Sequence, residues 1–425
     1  MKHRLLIFTI VISGLFSGIQ AQQPNETSIS VQIRPRAEYR NGALNPRNET
    51  DLPASFINNR ARLSFDYKRN NLMTRISAQY LNVWGQDPQS DMAGRVNLNE
   101  AWAKMIFGKS FFVQLGRQIL IYDDERILGG LDWHIAGRSH DALKFGYENS
   151  IHSIHGILAY NQNGMKVIGG DFYIPNGQPY KSMQTLWYQY RRENMPFKVS
   201  ALIMNLGFES STEEKPQSKF MQTVGANASY GISGFNFAGT FYYQTGKTVA
   251  NTDISAFMAS LNIGYNINSK WNVGIGSDYL SGNKEGENKH TAFNPLYGTH
   301  HKFYGTMDYF YASAFQDGIN PGLWDNFARI SFKPIEKLNL SLNYHNFMLA
   351  QDVTTAGEKL SKGLGSEVDF QLDWTIMKDV KLSGGYSFML GTKSMDIVKG
   401  GEHNAWQDWG WISLNINPRI FFAKW

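Results

Sequence analysis

The 425-residue chain contains no cysteine, so neither disulfides nor thiolate metal centres hold it together. Beyond its first residues it also lacks long apolar runs. After Phe16 no stretch approaches the roughly 18 uninterrupted apolar residues that mark a helical membrane span. A strong charge of either sign is missing too. The formal net charge is +5, of which Lys2 and Arg4 contribute two, leaving +3 from residue 22 onward. So balanced a chain gives no reason to invoke nucleic acid.

What is present begins with a leader. Lys2, His3 and Arg4 precede an apolar run over residues 5–16, and Ser17, Gly18 and Ala21 supply small residues for cleavage. Residues 1–21 therefore read as a signal peptide cut after Ala21, which sends the remainder out of the cytoplasm. Residues 22–425 read as a single domain. Aromatics at 14% and 40 glycines are generous for a chain whose mean hydropathy is −0.37. A β-barrel in a membrane reconciles these values, because only alternate residues of each strand face lipid.

Strict alternation is the decisive signal, since successive side chains of a strand point to opposite faces. Over residues 29–40, Ile29, Val31, Ile33, Pro35, Ala37 and Tyr39 share one face. Ser30, Gln32, Arg34, Arg36, Glu38 and Arg40 share the other. Residues 60–68, 257–266 and 367–376 repeat the pattern. Runs this long match the ~9 to 12 residues a tilted strand needs to cross hydrocarbon, whereas strands of soluble sheets average nearer 5 or 6. Many end in an aromatic, as at Tyr39, Tyr67, Tyr147, Tyr230 and Tyr265, which suits interfacial girdles.

The fold expected is all-β: a transmembrane, antiparallel, up-and-down barrel of about 18 strands. Strands are expected at 29–40, 58–68, 72–82, 96–107, 111–121, 141–148, 151–161, 183–191 and 197–207. The second half adds 221–231, 235–245, 255–267, 270–280, 325–333, 337–347, 366–376, 380–390 and 408–417. Short turns and longer connections then alternate, as they do between the periplasmic and external rims of such barrels. Long extracellular loops are expected at about 122–140, 162–182 and 281–324. The strand-like runs 166–174 and 301–311 fall inside the last two, because spanning there would break the alternation. The connection 281–324 is long enough to fold inward and narrow a pore. Only residues 22–28 separate the leader from the first strand, so no plug domain is expected there, nor energised import.

Residues 116–144 read GRQILIYDDERILGGLDWHIAGRSHDALK, residues 294–310 NPLYGTHHKFYGTMDYF, and residues 365–374 GSEVDFQLDW. In these strings, and in LNYHNF at 342–347, the chain resembles the alginate-export porin family across nearly its whole mature length. The resemblance implies an eighteen-stranded barrel in the outer membrane of a Gram-negative bacterium, with a basic constriction that passes an acidic saccharide. It leaves the solute open.

Inward parity on the first strands makes Arg34, Arg36, Arg40, Arg60, Arg62, Arg75 and Lys104 a basic wall, with Arg138, Lys144, Arg191 and Arg329 as further basic candidates. Guanidinium forks match carboxylates, and a ladder of weak sites lets a polyanion both enter and leave. Glu38, Glu100, Glu367, Asp369 and Asp373 are the acidic candidates, the last three forming an opposed wall. The bland alternative is mutual pairing that only keeps a wide lumen wet. Asp123, Asp124 and Glu125, with Asp132, are weak Ca²⁺ candidates, outweighed by a turn whose acids pair with Arg126 and Arg138. His290, His300, His301 and Asp308 are more simply hydrogen-bonded loop residues than metal ligands. Ser153 and His155 share a strand face but carry no nucleophile-elbow motif, so enzymatic hydrolysis is not expected. The expected function is a passive channel, without cofactor, for a hydrophilic and anionic oligo- or polysaccharide. Its partners would be outer-membrane lipid and periplasmic export proteins. A general small-solute porin, or a closed barrel serving as surface scaffold or adhesin, are the rivals.

Overall fold

The computed structural model describes residues 24–90, 95–168, 170–175, 177–193, 195–209, 215–355 and 357–425. The leader assigned to residues 1–21 lies outside them. Eighteen strands run up and down: β1 Glu26–Asn41, β2 Ala54–Arg69, β3 Leu72–Val83, β4 Val96–Phe107, β5 Phe111–Gln118, β6 His140–Glu148, β7 His152–Tyr160, β8 Ser182–Arg191 and β9 Phe197–Glu209. They continue as β10 Ser218–Ile232, β11 Phe235–Lys247, β12 Asp253–Asn266, β13 Trp271–Leu280, β14 Leu323–Ile335, β15 Leu338–Met348, β16 Gly363–Met377, β17 Val380–Gly391 and β18 Gln407–Ile416. Each pairs antiparallel with its chain neighbours, and β1 closes on β18 with Tyr39 opposite Gly410. Closure matters because hydrocarbon offers no partner to an unpaired backbone edge.

Outward positions form the apolar belt. Leu63, Phe65, Ile76, Leu115, Ile203, Phe241, Leu261, Ile275, Leu342 and Ile412 are exposed large hydrophobics at alternate positions of their strands. Aromatic pairs ring the short-turn end: Trp271 with Phe332 at 4.2 Å, Phe235 with Tyr265 at 4.5 Å and Phe111 with Tyr147 at 5.0 Å. One of the two-residue turns there is Ser233 and Gly234, with φ of 48° and 86°. Two positive φ values in a two-residue loop match the right-handed twist of a hairpin.

Expected strand ends fall within four residues of the observed ones, and two differences have physical causes. β5 stops at Gln118 instead of 121, because Gln118 binds the carbonyls of Gly116 and Ala142 and the chain then turns into the barrel, burying Leu120. Past β18, Pro418 interrupts the strand, having no N–H to give the ladder. The chain resumes as Arg419–Lys424, which pairs Glu26 to Ser30 of β1 and was not anticipated. A short helix, α1 Lys393–Lys399, in the β17–β18 connection was also missed. It is the one α-helix among the described residues, and no helix there is long and apolar enough to cross a membrane. The runs 166–174 and 301–311 hold no barrel strand among the described residues.

The connection 119–139, expected among the external loops, runs inside the cylinder. So does most of 281–322. On β8 to β13 the inner face departs from polarity: Met183, Leu202, Met204, Leu206, Met221, Ile254, Met258 and Leu280 are buried at inward positions. Against them pack Leu120, Ile127 and Leu128 of the first connection, and Phe293, Tyr297, Tyr304, Met307 and Phe310 of the second. Each such side chain contributes roughly 1.5–3 kcal/mol relative to exposure, which is why the loops fold in.

Candidate functional site

The two inward connections meet between the walls and leave a narrowed path. The first is pinned at one side by Arg126, whose guanidinium is enclosed and bonds Asp278 of β13 at 2.9 Å, Asp124 at 2.9 Å and Ser260 of β12 at 3.1 Å. Burial opposes its charge, but Asp278, Tyr304 and Asp124 outweigh that and hold its pKa above the ordinary value. Nearby, Asp123 accepts hydrogen bonds from Trp187 of β8, Ser200 of β9 and Tyr242 of β11. Burial pushes the Asp123 carboxyl up, with the Ser200 and Trp187 bonds acting against it.

Six residues beyond Arg126, Asp132 is held at the other side by Arg34 of β1 at 3.1 Å and Arg60 of β2 at 2.7 Å. Trp133 follows, with the Arg36 guanidinium 3.9 Å from its ring centre and the His301 ring stacked at 4.1 Å. Trp409 and Trp411 of β18 meet it edge-on at 5.6 and 4.7 Å. His301 belongs to the second connection and bonds Asp308 at 2.8 Å. The connections also bond each other directly, through Arg138 to the Gly298 carbonyl at 2.8 Å and Thr299 to Glu125 at 2.8 Å. The second is tied to the wall where Met307 N donates to Glu367 and Thr306 donates to Asp369. Between these contacts lies a space of about 380 Å³, lined by Asp132, Trp133, His301, Lys302, Asn343, Gln371 and Trp411 among others.

This geometry redistributes the expected site. Arg60 is fully buried and Arg36 nearly so, which makes them clamps on the inward loop instead of contacts for solute. Glu38 is likewise enclosed, accepting from Arg36, Arg40, Asn58 and Trp409. The opposed acidic wall is largely covered: Glu367 and Asp369 are buried beneath residues 305–307, and only Asp373 remains at the water, beside Lys381 at 2.7 Å. Arg75 joins Asp66 and Glu100, Lys104 lies 3.7 Å from Glu148, and Arg62 takes the Gln79 amide oxygen. Lys144 and Arg329 face inward on β6 and β14, and Arg191 sits exposed at the short-turn end of β8.

Asp123, Asp124 and Glu125 diverge to separate partners, Glu125 taking Thr299 and Lys302. Arg138 goes to Gly298 and not to the acids expected to pair with it. His300 bonds the Tyr311 carbonyl at 3.1 Å, away from the His301 and Asp308 pair. Among the described residues no three metal-binding side chains converge. His155 bonds Tyr122 and Glu148, both at 2.9 Å, and not Ser153. Arg126 pairs with Asp124 as the turn reading expected, while sequence reasoning overlooked Trp133, Trp411 and Asp278. Their signal was present: apolar residues at inward positions of β8 to β13 mark a wall that something must cover.

The barrel is similar to OpdK of Pseudomonas aeruginosa, solved with vanillate, at a TM-score of 0.60 and 8% identity over 93% of this chain and 99% of that one. OccAB4 of Acinetobacter baumannii gives 0.60 and 12% over 95% and 99%. OccK2 (OpdF) of Pseudomonas aeruginosa, in complex with glucuronate, gives 0.60 and 12% over 93% and 97%. Likeness at such identities establishes architecture alone. No curated protein matches the sequence. The family described as "Alginate export" matches residues 25–391, most of the sequence and every strand through β17. An eighteen-stranded closed barrel with a lumen narrowed from within is thus joined to a family match along most of its length: this chain belongs to the alginate export family of outer-membrane β-barrels.

Proposed function

We propose that this channel of the Gram-negative outer membrane passes hydrophilic solutes and favours anions, acidic saccharides above all. The observation carrying this reading is an imbalance in uncompensated charge. Arg62, Lys144, Lys198, Arg329 and Lys333 occupy inward positions with no carboxylate within 4.0 Å among the described residues. Most inward acids are instead matched, Asp66 and Glu100 by Arg75, Glu148 by Lys104, Asp278 by Arg126, Asp325 by His345 and Asp373 by Lys381, while Glu367 has no cation but is buried beneath Met307. A mobile anion therefore meets free cations, while a mobile cation meets carboxylates already occupied. Two barrels of similar architecture were solved with carboxylates, vanillate and glucuronate, which fits the same preference. The reading requires neither catalysis nor a cofactor, and a polymer would be handed over by periplasmic export partners.

In a planar bilayer under a salt gradient, the reversal potential should report anion preference. Combined Arg62→Gln, Lys144→Gln and Arg329→Gln should move it toward zero. An unchanged potential would refute the assigned role. The general-porin reading draws on the pairing of Arg34 and Arg60 with Asp132 and of Arg36 and Arg40 with Glu38, which halves the charge of that basic wall. Equal block of current by neutral and acidic oligosaccharides would favour it.

A further inference from the structure

We propose that the short-turn rim of the barrel carries a capture shelf for a carboxylated or sulfated oligosaccharide, built by Lys270, Lys333 and Lys337 with asparagine neighbours. The shelf deepens the anion-favouring reading above and rests on it. A hollow of about 550 Å³ opens there between the ends of β12 to β17. Its size lies within the range of small-ligand sites. The floor is held by backbone: Lys333 N donates to the Lys270 carbonyl at 2.8 Å, and Thr375 N to the Lys337 carbonyl at 2.8 Å. Two adjacent turns are thus locked to the strands beside them, and Lys270, Lys333 and Lys337 line one hollow on that base.

The charge is unbalanced. Lys381 in the same hollow is taken by Asp373 at 2.7 Å, while Lys270, Lys333 and Lys337 have no carboxylate within 4.0 Å among the described residues. Of the two acids in the lining, Asp373 is taken by Lys381 and Glu336 is left to oppose the three lysines. Asn266, Asn272 and Asn339 line the same space and add amide donors and acceptors, the chemistry that reads sugar hydroxyls. Ammonium groups on long stems bind a carboxylate as point charges without a bidentate fork, so they hold and release instead of trapping. A concave, amide-rich hollow suits a chain of sugar rings better than the flatter face of an acidic protein.

The test is current block by a defined probe, an oligogalacturonate of a few units, added to one side of a single oriented channel. Wild-type channel should be blocked faster from the short-turn side than from the long-loop side. The Lys270→Gln, Lys337→Gln variant, which leaves Lys333 and the other inward cations in place, should lose about three-fold or more of that on-rate at 0.15 M salt, where charges act over roughly 8 Å. Its block from the long-loop side and by neutral oligosaccharides should stay unchanged. Blocking rates equal from both sides in wild type, or unaltered by the variant, would overturn the shelf. An oligoglutamate of equal charge blocking as well as the oligogalacturonate would overturn its saccharide assignment. These outcomes are separate from the reversal potential, which tests anion preference itself, so the shelf can fail while that preference stands.

Discussion

Replacing Asp278 by asparagine removes the main counter-charge of an enclosed guanidinium. Arg126 and Asp278 have side-chain exposures of 1% and 2%, and the aspartate contacts Arg126 at 2.9 Å. Taking one partner from a buried pair typically costs 3–5 kcal/mol, because the other charge is left without compensation. Asp124 still reaches Arg126 at 2.9 Å, so the lower end, about 3 kcal/mol, is expected. That multiplies the population with the 119–139 connection undocked by more than about a hundred. Single-channel recording should show flicker to a larger conductance, rare in wild type and frequent in Asp278→Asn. The barrel's global melting should barely move, since the strands keep their ladder. Arg126→Met combined with Asp278→Leu removes both charges and should restore quiet current, as apolar replacement of buried pairs often does. Identical noise in wild type and Asp278→Asn would refute the claim that this pair holds the constriction.

His134 and His300, one on each inward connection, are both held below the ordinary imidazole value of 6.5, by desolvation first and then by arginines, Arg36 leading for His134 and Arg138 for His300. A base with a lowered folded pKa favours docking when neutral. Docking is therefore at full strength above the ordinary value and weakens as pH falls through about 6.5 toward the folded values. Current noise should grow over that window and be blunted by His134→Gln with His300→Gln; a flat pH profile would count against it. Gly298→Ala would set a Cβ 2.3 Å from the Arg126 carbonyl, a backbone clash between the two connections, and should likewise raise noise, at a cost of about 1–3 kcal/mol. Leu261→Arg places a charge on the lipid face and should lower folding stability in vesicles by about 2–4 kcal/mol if the residue lies near mid-bilayer. Stability unaltered by that change would contradict the outward orientation of the belt.

The wall was legible in the sequence and its contents were not, for a physical reason. A strand's pattern is local: Ile33 beside Arg34 reveals which side faces lipid without knowledge of any neighbour. The fate of Arg34 and Arg60 depends on Asp132, which is 98 and 72 residues distant, and no periodicity encodes that meeting. Glu367 and Asp369 had the right inward parity, yet became buried once Thr306 and Met307 settled on them. The run 119–121 is apolar enough to prolong β5, and only the bonds of Gln118 end it. One clue was available, since Met204, Leu206, Met258 and Leu280 are too greasy for a water-filled interior.

The stretch from Arg126 to Asp132 is anchored at one end to β12 and β13 and at the other to β1 and β2, which lie nearly across the ring from each other. It works as a spoke in a wheel. A broad cylinder squeezed by the lateral pressure of its bilayer tends to flatten into an ellipse, and a spoke tied at both ends resists that flattening. The same few side chains thus fix how wide the passage is and how round the whole wall stays, so widening the hole by cutting them would also soften the vessel.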